Sequence, residues 1–352
     1  MKKVLFGTTA LLGGLLLTQG AMAAETTVKL GGDIRFDAGF IDDDLENASD
    51  VVFLQEFRLP ITMDAVADNG LKYGAMVRIR NTGQDGDDIV ADRRFIYVGG
   101  DWGRVELGDE WGPTTKLEVL APNIGIGQLD GTLPDFTDVG NFAYSHALEY
   151  GRSTKVAYYT PRFAGFQAGV SYMPQLGQRG DVASNRSDAA GQYSDVVETA
   201  LQYEGDFGDF GLRAGAGYSF GDLKPAQVGI LADDLQSYYA GAQVIWGGFT
   251  VGGGYFDNNE TSRAIGGGDQ DGWNIGATYT TGPFAVAANY GRTQTNDTDD
   301  DVFVVGANYT VAPGLSVAAD VYFFDIENAD AASHAGGNNE GTVAVLRTRL
   351  TF

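Results

Sequence analysis

The chain has 352 residues and no cysteine, and its 47 acidic against 23 basic residues give a formal charge of −24 at pH 7. Without thiols there are no disulfide staples, thiolate metal centres or cysteine nucleophiles. So acidic a balance also argues against nucleic acid as a partner, because phosphate contacts need a basic surface.

The first residues, MKKVLFGTTALLGGLLLTQGAMA, set Lys2 and Lys3 before a short apolar stretch and an Ala-Met-Ala end. This is the plan of a secretory signal peptide spanning 1–23, with cleavage after Ala23. Losing the two lysines takes the charge from −24 to −26. Gly13, Gly14 and Thr18 break the stretch, which is shorter than the about 20 apolar residues that a membrane helix needs. Residues 24–352 are then one exported domain with no linker and no later run long enough for a spanning helix.

Short alternating segments follow one another. TVKLGGDIRFDAGF places Arg35 between Ile34 and Phe36, and QEFRLPITM places Arg58 between Phe57 and Leu59. YGAMVRIRN sets Arg78 and Arg80 on one parity, Val77 and Ile79 on the other. Further along, Phe210 to Phe220, Phe284 to Tyr290, Phe303 to Tyr309 and Leu315 to Phe323 each line one face with apolar residues. The chain ends in the same way: Ala344, Leu346, Thr348, Leu350 and Phe352 share a parity, and Arg347 and Arg349 take the other. Such strands fit a sheet with one side in oil and one in water.

The connections alternate in length. Tight ones built on Gly, Pro, Asn and Asp fall at 67–70, 100–103, 161–165, 205–209, 247–248, 281–283 and 311–314. Longer polar ones fall at 41–50, 81–92, 112–151, 174–194, 221–235, 257–271, 292–301 and 326–340. Seven and eight make fifteen connections, hence sixteen strands. The expected fold is all-β: an up-and-down antiparallel transmembrane barrel with both termini on the short-turn, periplasmic side. Its last strand must close against its first, because an open edge is untenable in lipid.

A lipid-facing arginine near the midplane costs about 2–4 kcal/mol. Arg35, Arg58, Arg78 and Arg80 are therefore expected to face the lumen, as is Arg94 if Phe95 and Tyr97 face lipid. The longest connection, 112–151, carries Glu118, Asp130, Asp135 and Asp138 among Leu117, Val119, Leu120, Ile124, Ile126 and Leu129. Apolar residues in such number suit a loop folded into the barrel, where they pack against the wall.

The stretch DRRFIYVGGDWGRVELGDEWGP and the C-terminal alternation ending in Phe352 resemble the general diffusion porins of Gram-negative bacteria. The resemblance implies an outer-membrane homotrimer of sixteen-stranded barrels passing small hydrophilic solutes, with lipopolysaccharide around it. It implies an inward-folded third long loop forming the constriction, its acids facing the arginines across the water as a selectivity ring, with Arg58 and Arg94 matching wall arginines by position. It also gives Phe352, with Leu350, a part in recognition by the barrel assembly machinery.

Asp42, Asp43 and Asp44, and Asp299, Asp300 and Asp301, are weak candidates for loop-bound Ca2+, lacking the spacing of an EF-hand; no cofactor is otherwise expected. His146 and His334 have no ligand pattern beside them. The expected function is passive diffusion with weak cation selectivity. A solute-specific channel would need a continuous lumenal row of aromatics or lysines, toward which only Tyr322 and Phe324 point. A structural or adhesive barrel would not need the long apolar and acidic loop, and an outer-membrane enzyme would need a nucleophile and base at the rim.

Overall fold

The computed structural model describes residues 25–45, 48–81, 89–124, 133–137, 151–180, 193–224, 234–259, 269–295, 298–327 and 338–352. The expected signal peptide, both histidines, Asp130 and Asp138 lie outside them.

Period-two alternation produces strands throughout. The first is interrupted at Gly31-Gly32, giving β1 (Glu25–Leu30) and β2 (Asp33–Asp43). Both halves pair with β3 (Val51–Val66) in one register, Leu30 opposite Ile61 and Asp33 opposite Arg58, so together they form a single stave. Next come β4 (Lys72–Asn81), β5 (Ile89–Gly100), β6 (Gly103–Asp109), β7 (Thr154–Tyr159), β8 (Phe166–Gln175) and β9 (Tyr193–Phe207). The second half holds β10 (Phe210–Leu223), β11 (Leu235–Trp246), β12 (Phe249–Asp257), β13 (Gln270–Thr281), β14 (Phe284–Thr295), β15 (Thr298–Ala312), β16 (Leu315–Ile326) and β17 (Asn339–Thr351). From β2 onward each strand pairs antiparallel with the next, and β17 pairs back onto β2. The result is a closed sixteen-stave barrel, the form in which lipid leaves no backbone group unpaired.

All seven expected tight turns are present. At Gly247-Gly248 both residues have positive φ, 54° and 89°, which suits a two-residue hairpin and strains any side chain. One expected long connection is not a loop: around 292–301 the strands continue to Thr295 and resume at Thr298. Asp299, Asp300 and Asp301 are thus strand residues and alternate in direction.

The alternation sorts side chains as lipid requires. Phe210, Tyr218 and Phe220 of β10, Phe284 and Val286 of β14, and Leu346 and Leu350 of β17 are exposed outward. Aromatic rings at the short-turn end touch across strands, as in Phe249 with Tyr279 at 4.4 Å and Phe284 with Tyr309 at 4.6 Å. A second series near the other end includes Phe36 with Phe53 at 5.5 Å and Trp273 with Tyr290 at 5.2 Å. Amphipathic rings at two levels match the two interfaces of a bilayer. Tyr159, at the end of β7, is instead buried on the lumenal side against Leu117, Ala157 and Ala200.

The apolar cores lie inside the barrel, where the long connection between β6 and β7 packs on the wall. It opens with one helical turn, α1 (Pro113–Lys116), and later forms a 3-10 turn at Leu133–Asp135. Leu133 and Phe136 are buried with Val302, Val304, Tyr322, Phe324, Val343 and Val345 of β15 to β17. Tyr322 and Phe324 are therefore the bed of this loop, not a slide for solutes.

Candidate functional site

Strand parity carries Arg35, Arg58, Arg78 and Arg80 to the inner wall, where carboxylates of the same wall meet them. Arg78 and Asp92 form a buried two-point pair at 2.8 and 2.5 Å. Arg58 bonds Glu56 at 2.5 and 3.1 Å, and Arg35 reaches the same carboxylate at 2.8 Å. Arg80 is held more loosely, 3.4 Å from Glu56 and 3.7 Å from Asp92.

Arg94 does not join them. In the β4–β5 ladder Arg78 faces Arg93 while Ile79 faces Ala91, so Asp92 is an extra residue in a β-bulge. A bulge turns two successive residues to one side and reverses the parity beyond it. Asp92 and Arg93 both enter the lumen, and Arg94 falls opposite the outward Val77. Its guanidinium bonds Asp109 at 2.6 Å on the outer surface. Phe95 and Tyr97, expected toward lipid, face inward instead, under Lys116 and Arg104 respectively.

Several wall groups escaped sequence reasoning. Arg93 pairs with Glu110 through two bonds at 2.8 and 2.9 Å, and Arg152 joins Asp92. The guanidiniums of Arg78, Arg93 and Arg152 surround the Trp111 ring at 5.3, 4.8 and 5.0 Å from its centre, within cation–π range. Arg347 grips the fully buried Asp37 with two 2.7 Å bonds. The parity of Arg347 was visible in the sequence; the partnering acids were not, since pairing depends on register.

The loop meets this wall at Asp135, whose carboxylate accepts a 3.2 Å bond from Arg35. Burial pushes the Asp135 carboxyl above its ordinary value, with Arg35 opposing the shift. Glu118 lines a recess lower in the lumen with Arg213, Gln243 and Asn308. Thr114 at the loop root donates to the buried Glu198 at 2.6 Å, and Lys116 bridges to Glu106 and Glu110. The two described loop acids thus lie apart in a polar passage, Asp135 against Arg35 of the arginine wall and Glu118 in the recess beside Arg213, Gln243 and Asn308.

Strand alternation turns Asp42 outward and Asp43 inward, where Asn339 donates to it at 3.2 Å. Asp301 is occupied by Arg292 at 2.8 and 2.5 Å. Among the described residues no group of three or more His, Cys, Asp or Glu could hold a metal ion.

At the carboxyl end Leu350 and Phe352 face outward, and Phe352 sits at the seam where the barrel closes.

A closed barrel lined by ion pairs, with a loop folded across its lumen, is a channel architecture. The profile of the Gram-negative porin family matches residues 7–329. A porin of Rhodobacter capsulatus is 23% identical, over 88% of this chain and 98% of its own. An uncharacterised protein of Rickettsia felis is 21% identical over 94% and 93%. Among solved structures, an anion-selective porin from Comamonas acidovorans superposes with a TM-score of 0.65, covering 93% of this chain and 100% of its own at 20% identity. A Rhodopseudomonas blastica porin variant gives 0.64 with the same coverage at 16% identity. At these identities the structural likeness is one of fold. The chain belongs to the Gram-negative porin family. It is an outer-membrane diffusion channel, and family and fold mark it as a channel rather than an enzyme.

Proposed function

We propose that the channel is weakly cation-selective and passes small hydrophilic solutes without a dedicated binding row. The observation carrying this is the neutralisation of the arginine wall from within. Arg58, Arg78, Arg93 and Arg347 each hold a carboxylate at 2.8 Å or closer. A wall so paired repels cations little, and the balance passes to the loop acids Glu118 and Asp135 and to the acidic mouth. Asp130 and Asp138 belong to the same loop and are proposed to add to it. A chain of charge −24 concentrates cations at its entrances. At about 0.15 M salt the Debye length is about 8 Å, so the preference fades as salt rises.

The zero-current potential across a planar bilayer under a KCl gradient tests the reading. A cation-selective sign that strengthens in dilute salt is expected; an anion-selective sign in dilute salt overturns it.

We further propose that cleavage after Ala23 releases the mature chain and that three copies associate. Gln55 and the set of Arg94, Asp109 and Thr154 place polar groups on the outer face of β3 and β5 to β7, which suits cover by protein better than lipid. Native mass spectrometry in mild detergent would show a trimer; a monomer mass would count against it. We propose likewise that lipopolysaccharide surrounds the assembly and that the assembly machinery recognises Phe352, readings that family membership supports.

A further inference from the structure

The described part of the loop does not hang in the lumen; it lies in a seat. Five residues face one another in a single row across β9 to β13: Gln202, Gly215, Gly241, Gly254 and Asn274. A carboxamide stands at each end and three glycines lie between. Gln202 donates to the Leu117 carbonyl at 3.2 Å, and Asn274 accepts from the Ala121 amide at 2.7 Å. The backbone from Leu117 to Ala121 is thereby stretched over the glycines. Gln243 and Asn308 add bonds to the carbonyls of Leu120 and Ile124 at 2.7 and 3.3 Å.

There is no room for a side chain beneath this segment. A Cβ on Gly241 would stand 1.9 Å from the Val119 carbonyl oxygen. One on Gly215 would stand 2.8 Å from the Leu117 oxygen, and one on Gly254 3.2 Å from a Leu120 methyl. The first two obstacles are backbone, which cannot rotate aside as a side-chain end can. A Cβ on Gly241 would also stand 2.9 Å from the Gly253 carbonyl oxygen of the neighbouring strand; that ladder is fixed on both sides, so the far larger conflict with Val119 is relieved by the loop moving inward.

We propose that the row Gln202, Gly215, Gly241, Gly254 and Asn274 is a positioning seat that sets how far the loop intrudes, and so the bore of the channel. The inference rests on the channel reading. The glycines set the depth, and the two carboxamides hold the loop against them.

Single-channel recording of the full-length protein tests this. Gly241→Ala is expected to lose conductance, Gly215→Ala to lose less, and Gly254→Ala to remain near the wild type. Gly276→Ala is the control, because its Cβ would meet the Asn289 side chain rather than the loop. Asn274→Ala should raise open-channel current noise by freeing Ala121. Asn274→Asp, which still accepts the amide bond, should stay quiet. A folded Gly241→Ala barrel with wild-type conductance overturns the proposal, as does an equal loss in the Gly276→Ala control. If Gly241→Ala fails to fold, the Asn274 pair decides, and equal noise in both variants overturns it. Absence of channels in the wild type would instead sink the channel reading itself.

Discussion

Phe352 and Gly32 exchange both main-chain hydrogen bonds, each 3.0 Å long, and so complete the seam between the last strand and the first. The pair fills the point where the first stave is interrupted between β1 and β2. The Phe352 ring stands beside Gly32, where a Cβ would approach its edge to 3.1 Å.

Deleting Phe352 should therefore lower the yield of folded barrel far more than its conductance. Each bond is worth about 0.5–1.5 kcal/mol in water, and an unpaired group costs more in lipid. Heat-modifiable gel migration of outer-membrane fractions would show the loss, whereas normal levels of folded barrel would contradict it.

Arg78→Gln should shift the zero-current potential toward cations, because it strips the buried Asp92 of its two-point partner. Breaking one side of a buried pair costs about 3–5 kcal/mol when the other charge is left alone; Arg152 and Arg80 still face Asp92, so the loss should fall below that range. The double variant Arg78→Gln with Asp92→Asn should return both selectivity and thermal stability most of the way to the wild type. Additive effects in the double variant would argue against coupling.

Asp135 supplies a pH test. Its carboxyl is raised by burial, so it takes up a proton at higher pH than an ordinary aspartate. As pH falls through that range the loop loses a negative charge while Arg35 keeps its positive one. Selectivity should drift toward anions, starting above the pH at which a free aspartate protonates. Asp135→Asn should sit nearer anions from the outset and lack this step; an unchanged titration would remove Asp135 from the selectivity ring.

Arg94→Gln should leave the zero-current potential unaltered, since its guanidinium lies outside the barrel with Asp109. It should weaken subunit association instead, leaving an outward carboxylate without its partner. Analytical ultracentrifugation in detergent reads the second effect, and a selectivity change equal to that of Arg78→Gln would contradict the placement.

Sequence alone determined the staves. Alternation is a local property of consecutive residues, and turn chemistry is equally local, so the barrel, its seven tight turns and its closure at Phe352 could be read from residue types. The inward parity of Arg35, Arg58, Arg78 and Arg80 followed from the cost of charge in lipid. Only the tertiary structure decided the rest. One extra residue at Asp92 leaves no mark on the periodicity, yet it exchanged Arg93 for Arg94 and brought Phe95 inside. Which acid meets which arginine depends on cross-strand register between residues far apart in the chain, as with Arg347 and Asp37. The course of the loop over Gly215, Gly241 and Gly254 depends on which glycines of three separate strands fall into one row. None of these is encoded within a window of neighbouring residues; each arises only when the sheet closes.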